Sequence, residues 1–342
     1  MRRARLKAPE DREVGVYHCI SRVVDRRFVL EELEKEHFVG LMREYEAFCE
    51  VTVLTYCVMS NHFHILVEVP KRPERLPTAE EVVAKLRRLS GHQDVGMVEQ
   101  RFRMYREAQD EAGAAEYLAS FHARMWDLSA FMKLLKQRFT QWYNGRMGRK
   151  GTLWEDRFKS VLVEGAGQAL TATAAYIDLN PVRARLVEDP REYRWSGYGE
   201  AMAGRRRAKE GLRKVAAALR HGVLGSFGEA LEVYRVHLYD VGSEEGESLD
   251  ADGHAVRGAL SREAVVKVMS QKGRVPLASF LRCRVRYFCD GAVLGSREFV
   301  EGLFRQYRDR FGAKRRSGAR RLRGLAGEEL YALRDLRLGV FG

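Results

Sequence analysis

Residues 51–69 read VTVLTYCVMSNHFHILVEV. Both halves contain β-branched residues, and they flank Ser60-Asn61, a pair typical of tight turns, so the stretch predicts an antiparallel β-hairpin. Alternate residues of a strand point to opposite faces of its sheet. His62 and His64 therefore share one face, whereas the other face carries the apolar residues Phe63, Ile65 and Val67.

The segments on either side of this hairpin predict an α+β sheet. Residues 14–21 alternate in polarity, which indicates a strand, and residues 33–49 carry apolar side chains at helical spacing. Residues 151–163 begin with a turn and continue as a fourth strand. A strand, a helix and an antiparallel hairpin open the ferredoxin-like arrangement. We therefore expect a ferredoxin-like, RRM-like antiparallel four-stranded sheet with helices on one face.

Three regions are expected along the chain. Residues 1–200 hold the sheet and a charge-rich helical insertion at about 76–126. One helix of this insertion is expected to begin with the capping box Thr78-x-x-Glu81. Residues 201–258 are expected to be a helical segment followed by a polar, glycine-dotted linker. Residues 259–342 are expected to be mainly α-helical and basic. Further helices are predicted at 128–144, 168–179, 261–270 and 296–311.

The composition excludes several classes of protein. With 342 residues, 45% of them hydrophobic, the chain can bury a core, which excludes a disordered tail and a disulfide-stapled miniprotein. The five cysteines form no Cys-x-x-Cys pair, so a cysteine zinc knuckle is not expected, and a reducing compartment fits them best. No apolar run suits a membrane helix, and the N-terminus lacks the apolar core of a signal peptide. We expect a cytoplasmic protein that does not enter a membrane.

The net charge of +13 indicates a polyanionic partner. Residues 1–200 are nearly balanced, with 32 Lys and Arg against 30 Asp and Glu, whereas residues 201–342 hold 28 against 17. Eleven of the basic residues lie within 305–337, so a phosphate-binding surface is expected in the C-terminal region. Charge of this kind indicates contact with phosphates and does not indicate the reading of a base sequence.

A second motif supplies chemistry that suits the two histidines. Two imidazoles on one strand face can chelate a divalent ion, although a bare His-x-His is also a common solvated pair. Residues 174–184 read AAYIDLNPVRA, and Tyr176 and Asn180 are spaced so that a helix places them on one face. A phenol beside an oxygen ligand, facing two histidines, is the pattern of a site that combines a nucleophile with a metal.

In these motifs the sequence resembles the REP-associated tyrosine transposases, which are relatives of the insertion-sequence-200-like transposases within the HUH single-strand nucleases. The resemblance covers about residues 14–198. The motifs that carry it are, in order, His62-Phe63-His64, Leu153-Trp-Glu-Asp-Arg-Phe158 and Tyr176-Ile-Asp-Leu-Asn-Pro-Val-Arg183. It implies that residues 1–200 form an HUH-type transposase catalytic domain.

The resemblance also implies a metal-dependent endonuclease and strand transferase that acts on single-stranded DNA at REP-like hairpins. Tyr176 would attack a phosphodiester, leaving a 5′-phosphotyrosine and a free 3′-hydroxyl. His62 and His64 would hold Mg²⁺ or Mn²⁺, and Asn180 stands at the family's third-ligand position. The partner would be single-stranded or hairpin DNA, the protein would be a monomer or a homodimer, and it would be associated with the nucleoid.

Several of these residues keep a second interpretation. The insertion-sequence-200-like enzymes typically carry Gln where this chain has Asn180, and Asn before Pro181 is also a favourable N-cap for a short helix. Tyr176 also fits an amphipathic position on a buried helix, and Tyr143 is the next candidate nucleophile. Trp154 suits either stacking on a base or packing at the start of a strand.

Basic residues near the motifs are candidates for phosphate contacts, although each also fits a solvated surface position. In the first 200 residues the candidates are Arg22, Arg157, Lys159, Arg183 and Arg185. In the C-terminal region they are Lys314, Arg315, Arg316, Arg320 and Arg321.

Two other functions share these features. A non-catalytic DNA-binding or regulatory protein would retain the HUH scaffold, but it would have no need to keep His62, His64 and Tyr176 together. A replication-initiator or relaxase-like HUH nuclease would use the same chemistry, but the small four-stranded core and the Tyr-Ile-x-x-Asn-Pro arrangement disfavour it. The sequence has no Gly-x-x-x-x-Gly-Lys motif, as expected if a phosphotyrosine conserves the bond energy and rejoining needs no ATP.

Overall fold

The hairpin expected at residues 51–69 forms one edge of a larger sheet. The computed structural model of the protein describes residues 5–9, 11–89, 95–220, 224–242, 247–249, 255–257, 288–289, 291–321 and 330–334. Its strands are β1 (Val14–Arg22), β2 (Thr52–Val58), β3 (His62–Pro70), β4 (Lys159–Val163), β5 (Glu247–Leu249), β6 (Ala255–Arg257), β7 (Gly291–Gly295), β8 (Arg320–Arg321) and β9 (Tyr331–Arg334). In the main sheet they follow the order β2-β3-β1-β4-β7-β9-β8, and β5 and β6 form a separate pair.

Helices connect and cover these strands. The α-helices of the described residues are α1 (Glu32–Phe48), α2 (Ala79–Leu86), α3 (Val95–Glu107), α4 (Glu111–His122), α5 (Leu128–Arg146), α6 (Gly167–Asp178), α7 (Asn180–Arg183), α8 (Gly197–Met202), α9 (Arg206–Arg220), α10 (Phe227–Gly242) and α11 (Arg297–Gln306). The class is therefore α+β, as expected from the sequence.

The sheet has seven strands within the described residues, whereas the sequence predicted four. Strand β1 pairs antiparallel with β3 on one side and with β4 on the other. Strand β7 pairs parallel with β4, and β9 and β8 follow it in antiparallel pairing. The C-terminal strands thus pair with the edge of β4, which would otherwise present unpaired backbone groups.

Apolar residues fill both faces of the sheet, so the prediction of helices on one face was wrong. The face that carries Phe63 packs against α1, which lies beside α5. The face that carries His64 packs against α6, and α9 covers β2 on the same side. Leu66 and Val161 are among the buried apolar residues of this second face, and a sheet with apolar residues on both faces needs cover on both.

Helix α9 lies unusually close to the sheet. A Cβ atom built on Gly211 would stand 2.3 Å from the carbonyl oxygen of Leu54 on β2. Glycine is therefore required at this position, because any side chain would push the helix away from the strand.

The charge-rich insertion consists of helices α2, α3 and α4, as the sequence predicts. The expected capping box opens α2: Glu81 donates its backbone N–H to the Thr78 hydroxyl at 3.3 Å, and Thr78 donates its own to the Glu81 carboxylate at 2.8 Å. Apolar residues of the insertion belong to the same core as α1, and they include Val82, Val98, Phe102 and Phe121. The insertion thus extends the core on the face opposite the histidines.

The described part of the C-terminal region contains the strands β7, β8 and β9 beside helix α11, and the sequence did not predict these strands. Whether residues 259–342 are mainly helical stays a prediction, because most of them lie outside the described residues. Helix α11 lies within the helix predicted at 296–311, and the helix predicted at 261–270 lies outside the described residues. The segment interpreted as a linker contains the β5–β6 pair. No helix in the described ranges combines the length and the apolar character needed to cross a bilayer.

Candidate active site

Three histidines meet on the α6-facing side of the sheet. His62 and His64 lie on β3 with their ring centroids 5.1 Å apart, and His62 is half-buried whereas His64 is 3% exposed. His18 lies on the neighbouring strand β1, and its ring stacks against His64 with centroids 5.1 Å apart. His18 is fully buried. The alternation of strand residues places all three imidazoles on one face.

Hydrogen bonds determine which nitrogen of each ring carries the proton. The carbonyl of Phe288 lies 3.0 Å from Nδ1 of His18 and can only accept, so this nitrogen donates. In a neutral ring Nε2 of His18 is then an acceptor, and it takes the N–H of His64 Nδ1 at 2.9 Å. His62 donates from Nδ1 to Oδ1 of Asn61 at 2.6 Å. His62 and His64 therefore both present the lone pair of Nε2.

Burial keeps these rings neutral. Loss of hydration, with a smaller contribution from the positive charge of Arg183, lowers the pKa of His18 to about 4, although the hydrogen bond to Phe288 acts in the opposite direction. The pKa of His62 is also lowered to about 4, first by burial and then by Arg22 and Arg183. Burial and the neighbouring imidazoles hold the pKa of His64 well below its ordinary value. At neutral pH neither His62 nor His64 must lose a proton before it binds a cation.

Tyr176 lies on α6 beside the histidines. Its ring centroid is 5.6 Å from that of His64 and 5.9 Å from that of His18, both in edge-on contact. The helix is positioned by Asp178, two residues further along. The carboxylate of Asp178 accepts hydrogen bonds of 2.5 Å from Thr55 on β2 and of 2.5 Å from Tyr234 on α10. These bonds tie the helix that carries the phenol to the sheet that carries the imidazoles.

Folding stability is expected to fall as the pH is lowered from about 6.5 towards 4. In this window the unfolded chain protonates its histidines, while His18 and His62 stay neutral in the folded protein until about pH 4, so protons favour the unfolded state. Asp178 opposes this, because burial raises its pKa to about 7 and the folded state then binds its proton first. Burial also raises the pKa of Asp189, and it lowers the pKa of His37 and His237. Two carboxyls thus act against five histidines, so a lower Tm at about pH 5 than at about pH 7 is expected in a thermal melt. A Tm that is constant or rises on acidification would contradict buried neutral histidines.

The phenol of Tyr176 is covered, with 4% of the residue exposed. The ring of Phe288 stacks on it with centroids 4.7 Å apart and an interplanar angle of 12°. The sulfur of Cys289 lies 3.0 Å from the tyrosine hydroxyl, within hydrogen-bonding distance. The guanidinium of Arg183 lies 3.9 Å from the ring centroid and donates to the Tyr176 carbonyl at 2.8 Å. Residues 288–289 and Arg183 thus cover the phenol.

Asn180 lies in the same cluster, and its side chain is bonded to the backbone of α6. Its amide Nδ2 donates to the carbonyl of Tyr176 at 3.1 Å, which satisfies an acceptor near the end of α6. It is the first residue of α7, so Leu179 precedes it as the N-cap, and no side-chain cap bond is present there. The N-cap interpretation is thus wrong. A role of Asn180 in binding a metal stays a prediction.

The other candidate residues of the first region fall into two groups. Arg22 is exposed and lies opposite His62 in the β1–β3 pairing. Lys159 is also exposed, on the histidine face of β4, opposite Ile20. Arg157 and Arg185 are exposed on loops. By contrast, Trp154 and Tyr143 are buried in the opposite core, so neither is placed for stacking on a base or for nucleophilic attack.

The C-terminal candidates are also of two kinds. Arg315 donates to the backbone carbonyls of Ser317 and Gly318 and lies over the rings of Phe304 and Phe311, which gives it a structural position. The exposed residues of this set are Lys314, Arg316, Arg320 and Arg321.

Sequence reasoning missed three contributors to the site. His18 could have been recognised from the sequence, because an imidazole at an inward position of an otherwise apolar strand is unusual. No local pattern in the sequence indicates Phe288 and Cys289, since they lie more than a hundred residues from Tyr176. Within the described residues, no three His, Cys, Asp or Glu side chains are grouped so that they could hold a metal ion together. Any cation here would need ligands of another kind beside the two imidazoles.

Residues 13–85 match the sequence model of a protein family described as Transposase IS200 like. The match includes His62 and His64 and ends before Tyr176, and it confirms the resemblance to insertion-sequence-200-like transposases. No curated protein matches the sequence. Among solved structures the chain is similar to one described as a REP-associated tyrosine transposase bound to a REP hairpin. The identity is 14%, the match covers 59% of this chain and 84% of that chain, and the TM-score is 0.37.

Proposed function

We propose that this protein is a metal-dependent transposase that nicks and rejoins single-stranded DNA at REP-like hairpins through a covalent phosphotyrosine. The observation that supports this most strongly is the contact of the Tyr176 ring with the His64 ring. The Nδ1 atom of His64 is hydrogen-bonded to His18, so the lone pair of its Nε2 atom is available to a cation. The family match over residues 13–85 supports a transposase independently of that geometry. The strands β2-β3-β1-β4 are proposed as the ferredoxin-like unit of this catalytic domain.

The donor set fits a divalent cation. The Nε2 atoms of His62 and His64 are acceptors in neutral rings, and both Nδ1 atoms are occupied by hydrogen bonds that orient the rings, as is usual for metal-binding histidines. The amide oxygen of Asn180 is the proposed third ligand, and phosphate oxygens of the DNA would complete the shell of Mg²⁺ or Mn²⁺. A cation bound there would polarise the scissile phosphate and offset the negative charge of the transition state.

Tyr176 is the proposed nucleophile. Its oxygen forms a bond to the phosphorus while the bond from phosphorus to the 3′ oxygen breaks, the phenol loses its proton, and the 3′ oxygen leaves as a hydroxyl. Asp178 holds the helix of Tyr176 in place through Thr55 and Tyr234. Arg183 places a fixed positive charge beside the phenol, where it can stabilise the growing charge on the phosphate. In this account DNA binding displaces Phe288 and Cys289 from the tyrosine.

The experiment that tests this function detects a covalent adduct. The full-length protein is incubated with Mn²⁺ and a library of DNA hairpins that carry single-stranded flanks, and the products are separated under denaturing conditions. An enzyme gives a protein–DNA band that disappears when the metal is chelated. A protein that binds the hairpins without forming any adduct is instead a non-catalytic DNA-binding protein, and that result would overturn the proposal.

A substitution of His18 tests whether this residue orients the His64 ring for metal binding. Replacement by phenylalanine removes the acceptor for His64 Nδ1–H, so the His64 ring loses the bond that fixes its tautomer. We expect Mn²⁺ affinity to fall about tenfold, measured by calorimetry, because partners of metal ligands typically contribute ten- to hundredfold. His18→Gln restores an acceptor and should recover most of the affinity. Equal affinity in the wild type and in His18→Phe would contradict this role.

A further inference from the structure

The loop that follows strand β1 exposes an aromatic ring. Phe28 is 77% exposed, the highest value among the large hydrophobic side chains of the described residues. A single exposed apolar residue is common on protein surfaces, so exposure alone indicates nothing. Among the exposed large hydrophobic residues of the described chain, however, Phe28 is the one aromatic ring, and aromatic rings can stack on nucleobases.

Positive charge precedes this ring in the chain, and the exposed Glu31 and Glu32 follow it. Residues 22–28 read RVVDRRF, with three arginines against the single Asp25. Arg22, Arg26 and Arg27 are all exposed. An exposed aromatic ring beside basic side chains is an arrangement with which proteins bind single-stranded nucleic acid, since the ring stacks on a base while the cations contact the phosphates.

The loop is fixed at both ends and in its middle. Val24 donates its backbone N–H to the Leu153 carbonyl at 2.9 Å, and Leu30 donates to the Ser60 carbonyl at 2.9 Å. Between these bonds Asp25 and Arg26 adopt left-handed backbone angles, with φ of 56° and 55°. Such angles are unfavourable for residues with a side chain and persist only where the surroundings impose them. Phe28 is therefore presented from a constrained loop.

The same loop contacts the candidate active site. Asn61 donates from Nδ2 to the Arg26 carbonyl at 3.0 Å and accepts the N–H of His62 Nδ1 at 2.6 Å. One side chain thus joins the loop to a proposed metal ligand. Phe28 is two residues from Arg26, so their Cα atoms are at most about 7 Å apart. The loop that presents Phe28 is therefore tied to His62 through Asn61.

We propose that Phe28 is a stacking platform for an unpaired nucleobase next to the cleaved phosphate, with Arg26 and Arg27 contacting the flanking phosphates. This inference rests on the proposed function and extends it by naming the site that positions the single strand. Because every base has a π-face, the stack fixes the position of the strand without reading its sequence. Asn61 then couples the position of that base to the orientation of His62.

The test is a double-mutant cycle between protein and DNA. Binding is measured for full-length Tyr176→Phe protein, with and without Phe28→Ala, so that no cleavage occurs. The probe is a hairpin recovered from the adduct assay, in a series where each flanking nucleotide in turn is made abasic. Phe28→Ala is expected to weaken binding about tenfold, and one abasic position should abolish that difference. Phe28→Trp should bind like the parent protein.

Leu33→Ala supplies the control, because Leu33 is another exposed apolar residue, at 48%, and its loss should leave binding unchanged. Equal affinity of the parent protein and Phe28→Ala on every probe, or a loss that no abasic position removes, would overturn the platform. Dissociation of an oligomer by Phe28→Ala in the absence of DNA would assign the ring to contact between protein copies and would also overturn it. If the parent binds hairpins but shows no coupling, only this inference fails; if it binds no DNA, the proposed function fails too.

Discussion

Replacement of Tyr176 by phenylalanine is expected to abolish the covalent adduct while leaving DNA binding nearly intact. The substitution removes the oxygen that would attack the phosphate, and removal of a nucleophile commonly costs a factor of about a thousand or more in rate. The ring stays in place, because its contacts with Phe288, Arg183 and His64 involve the π-face or the edge. The lost hydroxyl contact with Cys289 is worth about 1 kcal/mol or less of stability.

The measurement is adduct yield after denaturing electrophoresis, together with hairpin affinity and Tm for each variant. Tyr143→Phe is the matched control, since Tyr143 is the other tyrosine that the sequence suggested and it lies in the opposite core. It should form adduct at the wild-type rate. Adduct formation by Tyr176→Phe at an undiminished rate would exclude Tyr176 as the nucleophile.

Replacement of His62 by alanine is expected to reduce both Mn²⁺ affinity and the rate of adduct formation by about a hundredfold or more. Loss of a partner of a ligand typically costs ten- to hundredfold, and loss of a ligand itself should cost at least as much. His62 is the better choice for this test because it is half-buried, whereas His64 is buried and its removal would leave the acceptor of His18 without its donor.

His37→Ala is the control for the loss of a histidine. His37 lies on α1 and stacks on Trp142, away from the candidate site. This variant should keep the wild-type affinity for Mn²⁺ and the wild-type rate. If His62→Ala formed adduct as fast as the wild type, with the same dependence on Mn²⁺, the metal-binding role of the histidine pair would be wrong.

The strand period allowed the shared face of His62 and His64 to be predicted from the sequence, because alternation is a local property of the chain. The helical period likewise placed Tyr176 and Asn180 together. Local patterns could not show that α6 packs onto the histidine face, since the distance between a helix and a sheet depends on tertiary packing. The closeness of Tyr176 to His64 was therefore expected only from the resemblance to a family.

Other features depend on pairing between distant segments. His18 enters the site because β1 pairs with β3 in a register that places it beside His64, and no local pattern fixes that register. The cover over Tyr176 comes from Phe288 and Cys289, and the extension of the sheet comes from residues beyond 290. The apolar character of both sheet faces, by contrast, could have been recognised from residues such as Val16 and Leu66.

Mass spectrometry of the wild-type adduct tests the central claim most directly. After proteolysis of the protein–DNA product, the peptide that carries the nucleotide identifies the attacking residue, and the sequenced DNA identifies the cut. We predict a single modified residue, Tyr176, linked to a 5′-phosphate, with a free 3′-hydroxyl on the released strand. Attachment to another residue, or cleavage of the DNA without any covalent attachment, would contradict the account.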